Sequence, residues 1–547
     1  MRATVCLRNT VWSLLVVLTL PTLEPGSLAA TPPIWTLQLD RRIDWFKASP
    51  SGNFLVGTDQ EILGVAPDSG TVAWRIRPGR KSSAADVELL AGTPFAVLGL
   101  GKHDAPELPS LSLLDVRDGR MIWNADSLGV LRSVGSFRIP GTERLLLRAT
   151  AGKGQTGALL DISTGRPIWI NRQLGQEFEP VLFDQVDDVV IGLYQKPFMD
   201  TDSTMIFHMS KTRFEKYNMT TGDLVWDSKY PEPRRSFWEG PPEEEKHRVQ
   251  LWIAPMVVSA SGYRFYSPYL KTVACFSLAT GNRVWGEEPK LDGYAVQMEE
   301  TPAGLLVRAI GPKGNPDDQK LRLLDRETGA TLWEKPKRKK ILGLSMEHWS
   351  AATNFLVEKD RVVIAADGKL LAIDLNTGNE RTLAKLEFRD EDDAKSLVRV
   401  ADGYCVIGSS NLGIYALEDG RRTKSYSCET PDNFGLGLAL LAGSAALWAI
   451  GSVNVGDDVT MSASINPVAV VSDVMKDFSA SRQRESYVYF LAKVGEEKKP
   501  GIARVRYETG EGAGEIVLDE KKPEYALDSS GRLYFRHDSK TIQCYRF

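Results

Sequence analysis

One short pattern, a glycine followed four residues later by a tryptophan, recurs along this 547-residue chain and restricts the folds open to it. In the stretch LLDVRDGRMIW, residues 113–123, an aspartate opens a turn, a glycine follows and a tryptophan comes next. Six of the thirteen tryptophans occupy this position, too many for chance with so rare a residue. The six pairs are Gly70 and Trp74, Gly119 and Trp123, Gly165 and Trp169, Gly222 and Trp226, Gly281 and Trp285, and Gly329 and Trp333.

Three weaker copies of the pattern follow, around Gly378, Gly420 and Gly510. The first two have Thr382 and Lys424 where the tryptophan would stand. Successive glycines are separated by 49, 46, 57, 59, 48, 49, 42 and 90 residues. A period of about 40–60 residues with one turn signature per unit indicates a propeller or a solenoid, and not a row of independent domains.

Each repeat unit is predicted to consist of strands. In the first unit, NFLVG, EILGVA and TVAWRI are separated by the turn sequences TDQ and PDSG, and IDWFKAS supplies a fourth strand. Later units repeat this order without amphipathic helices between the strands. The sequence therefore predicts an all-β fold, a β-propeller of four-stranded antiparallel blades.

The residues of the repeated turn have a physical explanation in packing. Glycine adopts the positive φ of a tight turn at little steric cost. An aspartate or asparagine four residues earlier can accept hydrogen bonds from the N–H groups of the turn, and the tryptophan ring can cover the turn of the neighbouring blade. We interpret these residues as structural docking residues and not as a cofactor site. The acids and amide concerned are Asp115, Asp161, Asn218, Asp325 and Asp374.

The markers are evenly spaced only up to Gly420, so we assign regular blades to 36–424 and irregular final blades with an insertion to 425–547. The C-terminal GRLYFRHDSKTIQCYRF predicts two strands and then stops. PPIWTLQLD near the start resembles the missing outer strand, with Trp35 in the docking position. We therefore expect 8 to 10 blades, with the last blade closed by the N-terminal strand, which removes exposed sheet edges.

The N-terminus predicts export. Arg2 and Arg8 precede the apolar run 11–20, and small residues follow up to Ala30. This order is typical of a signal peptide covering 1–30, which leaves 31–547 as the propeller in the bacterial periplasm or outside the cell. An uncleaved membrane anchor is the alternative, although the apolar run of ten is short for a membrane span. Four dispersed cysteines remain, namely Cys275, Cys405, Cys428 and Cys544. Free thiols, or one bridge between Cys405 and Cys428, both agree with this pattern.

The repeat, written A-x-D-x-x-T-G-x-x-x-W, resembles the tryptophan-docking motif of the pyrroloquinoline-quinone (PQQ)-like propellers over 33–547. That superfamily includes quinoprotein alcohol dehydrogenases and BamB-like proteins, so the resemblance implies the fold but not one activity. The dehydrogenases hold PQQ beneath a disulfide between adjacent cysteines and use calcium with an aspartate base. This sequence has no adjacent cysteine pair and no C-x-x-C-H haem site. We therefore predict no catalytic residue, no cofactor and no metal.

Long segments interrupt the repeat at 196–214, at 230–252 and within the final gap, where the uncharged stretch 434–456 is predicted to form two buried strands or a membrane span. Propeller insertions emerge as loops on a face, where binding usually occurs. The segment 230–252 combines proline, tryptophan and clustered charge. It is our candidate recognition loop, with the residues Arg234, Arg235, Trp238, Glu243, Glu244 and Glu245.

The formal net charge of -4 gives no electrostatic basis for binding nucleic acid. Together these observations favour a non-catalytic, monomeric scaffold that binds a protein partner through its loop face or central funnel. Association with a membrane through an envelope complex is compatible with this prediction. Two alternatives remain open: a quinoprotein-type oxidoreductase with a non-standard site, and a sensor that binds a small ligand or glycan.

Overall fold

The computed structural model describes most of 31–547. Outside the described part lie 1–30, 100–111, 125–132, 195–212, 230–256, 311–318, 430–486 and several shorter stretches. The predicted signal peptide, the candidate recognition loop and the uncharged stretch 434–456 therefore all fall outside the described residues.

Strands that follow one another in the chain pair into successive antiparallel sheets. Sheet 1 contains β2 (Ile43–Ala48), β3 (Phe54–Thr58), β4 (Ile62–Val65) and β5 (Val72–Ile76). Sheet 2 contains β6 (Val87–Leu89), β7 (Phe95–Leu98), β8 (Ser112–Asp115) and β9 (Met121–Asn124), preceded by a 3-10 helix (Ala84–Asp86). Sheet 3 contains β10 (Ser133–Arg138), β11 (Arg144–Ala151), β12 (Gly154–Asp161) and β13 (Pro167–Leu174).

The middle of the chain continues this order. Sheet 4 contains β14 (Phe178–Asp184), β15 (Val189–Tyr194), β16 (Arg213–Asn218) and β17 (Leu224–Lys229). Sheet 5 contains β18 (Val257–Val258), β19 (Arg264–Tyr269) and β20 (Thr272–Ser277). Sheet 6 contains β21 (Tyr294–Thr301), β22 (Gly304–Ile310), β23 (Gln319–Leu324) and β24 (Thr331–Lys335). A two-stranded ribbon follows, β25 (Lys339–Ile341) and β26 (Leu344–Met346).

The last four sheets complete the chain. Sheet 7 contains β27 (Ala352–Val357), β28 (Arg361–Ala366), β29 (Lys369–Asp374) and β30 (Glu380–Lys385). Sheet 8 contains β31 (Ser396–Val400), β32 (Gly403–Ile407), β33 (Asn411–Ala416) and β34 (Arg422–Ser427). Sheet 9 contains β35 (Tyr487–Val494), β36 (Lys499–Arg506) and β37 (Glu511–Val517). Sheet 10 contains β38 (Tyr525–Leu527), β39 (Arg532–Arg536), β40 (Thr541–Arg546) and β1 (Trp35–Gln38).

The N-terminal strand β1 pairs with the last strand of the chain, β40, and not with its own successor. In this antiparallel pairing Trp35 lies opposite Cys544 and Leu37 lies opposite Ile542. The sequence predicted this pairing from the absence of an outer strand after β40. Because β40 would otherwise present unpaired N–H and C=O groups, β1 protects an edge that could template aggregation.

Apolar side chains fill the space between neighbouring sheets and form the core. Between the last and first sheets, Phe54 of sheet 1 stacks on Tyr534 of sheet 10 with ring centroids 4.1 Å apart. Similar clusters of buried residues join sheets 1 and 2, 2 and 3, 5 and 6, 6 and 7, 7 and 8, 8 and 9, and 9 and 10. Radially repeated antiparallel sheets of this kind are the blades of a β-propeller.

Strands of a complete four-stranded sheet are called A to D in chain order. A joins B and C joins D at one end of the sheet, the turn edge. B leads to C, and D leads to the next sheet, at the other end, the connection edge. The glycine of each repeat lies in the C–D turn, as between β4 and β5 around Gly70. This assignment makes β35, β36 and β37 the strands B, C and D of sheet 9, since Gly510 follows β36.

Sheet 5 departs from the predicted four strands. Trp285 does not begin a fourth strand; instead Arg283 and Lys290 form isolated bridges to Phe276 and Thr272 on either side of an irregular stretch. Gly286 and Pro289 interrupt this stretch, and proline cannot donate a ladder hydrogen bond. The prediction of a regular outer strand after Gly281 was wrong for this local reason.

The strand register separates the two cysteines that the sequence left open as a disulfide. Cys405 lies on β32 opposite Ile414 of β33, whereas Cys428 follows Ser427 of β34, which pairs with Asn411. Four residues along the strands and two strand spacings place the Cα atoms roughly 16 Å apart, whereas a disulfide needs less than about 7 Å. All four cysteines of the described residues are free thiols, and Cys428 is only partly buried.

No helix within the described residues has the length and apolar character needed to cross a bilayer.

Candidate functional site

The repeated turn is a five-residue loop whose glycine has a left-handed backbone. Gly119 has φ 74° and its N–H donates to the carbonyl of Asp115 at 2.9 Å. A Cβ atom at Gly119 would lie 2.7 Å from the ring of Trp74, which belongs to the preceding sheet. Two constraints therefore require glycine at this position, namely the backbone conformation and the close approach of the indole.

Every tryptophan of the pattern lies against the turn of the following sheet, and so does Trp35. The pairs in contact are Trp35 with Gly70, Trp74 with Gly119, Trp123 with Gly165, Trp169 with Gly222, Trp226 with Gly281, Trp285 with Gly329 and Trp333 with Gly378. The contact thus joins consecutive sheets, and each repeat supplies a ring to one neighbour and a turn to the other.

A hydrogen bond that the sequence did not reveal fixes five of these indoles. Trp35 Nε1 donates to the carbonyl of Pro67 at 2.9 Å, three residues before Gly70. The same bond at the same position is made by Trp74, Trp226, Trp285 and Trp333. The acceptor is a backbone carbonyl, so no side chain in the sequence marks it. Trp123 differs, because its Nε1 is buried without a partner among the described residues.

The acidic or amide residue four positions before the glycine closes the turn. Asp161 Oδ1 accepts hydrogen bonds from the backbone N–H and the hydroxyl of Thr164, each at 2.8 Å. Hydrogen bonds from Ser163 and Thr164 hold the pKa of Asp161 below its usual range. Asn218 accepts from Thr221 N–H in the same way at 2.9 Å. Asp325 and Asp374 accept the corresponding bonds from the N–H groups three residues on, and Asp115 accepts from the N–H group two residues on.

Three junctions late in the chain lack the tryptophan. Gly420 approaches the backbone of Leu383, and Gly510 lies near Cβ of Lys424. At the junction of sheets 9 and 10, Gly514 stands in the tryptophan position and Phe547 lies against it. The guanidinium of Arg504 lies 5.0 Å from the Phe547 ring centre. Different contacts therefore replace the indole at each of these junctions.

The innermost strands are joined by side-chain amides, which sequence reasoning also missed. Gln297 of β21 donates to the carbonyl of Phe355 at 3.0 Å and accepts from its N–H at 2.9 Å. Asn354 of β27 makes the same pair of bonds to Leu397 of β31, both at 2.9 Å. Each amide thus pairs with one backbone N–H and one backbone C=O of the neighbouring strand A. These backbone groups lie on the inward side of that strand, where it has no strand partner.

The long connections that the sequence singled out all begin at one end of the sheets. Segment 195–212 follows the B strand β15, segment 230–256 follows the D strand β17, and segment 430–486 follows the D strand β34. Strands B and D both end at the connection edge. The residues of the candidate recognition loop, 234–245, lie outside the described part of the chain, but the strand that leads into them ends at this edge.

In the described ranges no three His, Cys, Asp or Glu side chains are grouped so that they could hold a metal ion. The docking residues contact one another and join consecutive sheets.

The comparisons with known proteins identify a family. The sequence model described as outer membrane protein assembly factor BamB matches residues 32–298 and 257–433, which together exceed half of the chain. No curated protein sequence matches.

Several solved structures are similar to this chain. BamB from Moraxella catarrhalis is 13% identical, with 76% of this chain and 100% of that chain covered and a TM-score of 0.34. The computationally designed Ika8 protein is 14% identical over 72% of this chain and 99% of its own, with a TM-score of 0.33. A quinohemoprotein alcohol dehydrogenase from Pseudomonas putida HK5 is 11% identical over 71% of this chain and 73% of its own, with a TM-score of 0.32.

Proposed function

Because this chain belongs to the family of the outer membrane protein assembly factor BamB, we propose that it is an exported, non-catalytic scaffold of the cell envelope that binds a protein partner. The observation that carries the proposal is the placement of the long connections. All three begin at the connection edge, whereas at the turn edge the C–D turns are short and are held closed by the docking residues. Variable loops on a rigid framework are the usual location of binding residues in repeat proteins.

The chemistry of the repeat supports a scaffold over an enzyme. Asp115, Gly119 and Trp123, which first suggest a site, are used to close a turn and to join two sheets. The sequence also lacks the adjacent cysteine pair that quinoprotein dehydrogenases are expected to have. We assign the partner to the connection edge, with the loop 230–252 as the principal contact.

Site-specific photocrosslinking tests this proposal. A photoreactive amino acid is placed at Trp238 in the candidate recognition loop, and at Asp118 in a docking turn on the opposite edge as the matched control. In the envelope fraction of the source organism, we expect one discrete crosslinked product from the Trp238 position and none from Asp118. Replacing 230–252 by a short Gly-Ser linker is expected to abolish the product while the urea unfolding midpoint stays unchanged.

Two results would contradict the proposal. The first is the absence of any discrete product from several positions in the loop, or equal crosslinking from Asp118. The second is turnover: if the purified protein, given PQQ and calcium, oxidises alcohols or sugars with a dye acceptor, it is a quinoprotein enzyme and not a scaffold.

A further inference from the structure

Sheet 6 carries an unusual set of buried cations near its connection edge. Lysine and arginine are rarely buried unless they are paired. The four cations that are almost fully buried in this sheet are Arg308, Lys320, Arg322 and Lys335. They lie at the end of strand B, at the start of strand C and at the end of strand D.

Three of the four have carboxylate partners. Lys320 Nζ lies 2.8 Å from Asp292 Oδ2, and Arg322 contacts Asp292 as well. Lys335 Nζ lies 3.1 Å from Glu380 Oε2. These pairs offset the cost of removing each charge from water.

Arg308 is the exception. Its Nη1 donates to Gln319 Oε1 at 2.7 Å and to the carbonyl of Ala352 at 3.4 Å, and both acceptors are neutral. Among the described residues no carboxylate forms an ion pair with it, and its Nε is buried without a hydrogen-bond partner. Burial lowers the pKa of Arg308 to about 10, and no anion in the described ranges opposes this shift. A buried cation without an anion costs several kcal/mol.

The hydrogen bonds of the Arg308 guanidinium leave one of its edges without a described partner. Both hydrogen bonds leave from Nη1, so the edge of the group that carries Nε makes none of them. A guanidinium edge with two parallel N–H groups matches the two oxygens of a carboxylate or a phosphate. We propose that Arg308 binds the oxyanion of a small carboxylate or phosphate ligand at the connection edge between sheets 6 and 7.

The surroundings of Arg308 would hold such a ligand in a defined place. Gln319 is the first residue of β23 and Ala352 the first residue of β27, so the guanidinium bonds to both sheet 6 and sheet 7 near the connection edge. The backbone of Trp349 pairs with that of Gln319 through two hydrogen bonds of 3.0 Å. These bonds fix the backbone of Gln319, whose side chain accepts the shorter hydrogen bond from Arg308.

Anion-dependent stability tests the proposal. The chain without 1–30 is titrated with inorganic phosphate, and separately with acetate, at constant ionic strength set by NaCl, and its thermal midpoint is followed. We expect a saturable increase with at least one of the two anions, because a ligand that binds only the folded state stabilises it. Response to phosphate alone assigns a phosphate ligand, and response to acetate assigns a carboxylate.

Variants separate a specific site from a general salt effect. Arg308→Met removes the charge and keeps an apolar stem, and we expect it to abolish the saturable increase. Arg308→Lys keeps the charge but cannot chelate two oxygens, so we expect affinity to fall about tenfold. Arg264→Met is the matched control, since Arg264 of β19 already bonds Glu327 and the backbone of Arg326. That variant is expected to respond like the unaltered chain.

Several outcomes would overturn the proposal. One is the absence of a saturable response in the unaltered chain, and another is an equal response in Arg308→Met. If Arg308→Met does not fold, Arg308→Lys decides, because unchanged affinity in that variant excludes chelation by the guanidinium. The Gly-Ser replacement of 230–252 should keep the anion response, so this result is independent of the proposed partner-binding function.

Discussion

At the residue scale, the docking glycines combine two constraints that are usually separate. A left-handed φ alone disfavours any side chain by about 1–2 kcal/mol. At Gly119 the ring of Trp74 also occupies the space of a Cβ atom, whereas Gly368 in the β28–β29 turn has φ 69° and nothing within 4 Å. Comparing substitutions at the two glycines therefore separates the effect of backbone strain from the effect of losing the tryptophan contact.

We expect Gly119→Ala to lower the urea midpoint clearly more than Gly368→Ala. The second change should cost about 1–2 kcal/mol from backbone strain, and the first should add the displacement of a buried indole, for a total of about 3 kcal/mol or more. Urea unfolding followed by tryptophan fluorescence measures both. Equal midpoints for the two variants would mean that the indole moves away without cost.

The turn acids also predict a pH dependence. The pKa of Asp161 is lowered in the folded protein, first by hydrogen bonds from Ser163 and Thr164. Its stabilisation is therefore complete above the unfolded pKa of about 3.9 and is lost as the pH falls toward the lower folded value. Asn218 occupies the same position with an amide that does not titrate.

Accordingly, the difference in urea midpoint between the unaltered chain and Asp161→Ala should be constant from pH 5 to pH 8 and shrink below about pH 4. The corresponding difference for Asn218→Ala should not depend on pH. Urea titrations at five pH values measure both, and a constant difference for Asp161 down to the acid limit would contradict the assigned role of its carboxylate.

At the scale of elements, β1 is the strand whose partner lies farthest away in sequence. It covers the outer edge of β40, and Trp35 lies against Gly70 of sheet 1. Arg532 of sheet 10 adds a second contact through its ion pair with Asp68 in the same turn. One short strand thus joins the last sheet to the first.

A chain that begins at Leu39 should therefore have a lower unfolding midpoint and associate through the exposed edge of β40. A synthetic peptide of 31–38 is expected to restore the midpoint and the monomeric elution volume. The same peptide with Trp35→Ala should not, because it lacks the indole, whose removal costs about 3–5 kcal/mol. Equal rescue by both peptides would show that strand pairing alone suffices. Size-exclusion chromatography and urea unfolding provide the readout.

At the scale of the whole molecule, the junctions are not alike. The junctions from sheet 10 to sheet 1 and onward to sheet 7 each use a tryptophan. At the three junctions after sheet 7, a glycine instead lies close to Leu383, Lys424 or Phe547. The thiols are distributed over different sheets, with Cys275 in sheet 5, Cys405 and Cys428 in sheet 8 and Cys544 in sheet 10. The four described cysteines are free, so packing between sheets holds the described part of the fold together.

We expect the chain without 1–30 to keep four reduced thiols. Burial raises the pKa of Cys428 to about 12, and the other three thiols are buried, so the folded protein should react slowly with a thiol reagent such as DTNB. After unfolding in urea without reductant, four thiols should react. Only two reactive thiols would indicate a disulfide and would contradict the register that separates Cys405 from Cys428.

The sequence by itself determined the repeat, the all-β class and the pairing of β1 with β40, because turn residues and strand alternation act locally and recur. Tertiary structure alone decided which carbonyl an indole reaches, that Gln297 and Asn354 join inner strands, and that Arg308 has no anionic partner among the described residues. Sheet 5 also depends on local details, since Gly286 and Pro289 break a strand that the motif predicts. These features arise where residues distant in sequence meet, and a backbone acceptor or a missing counter-charge leaves no mark in the order of the residues.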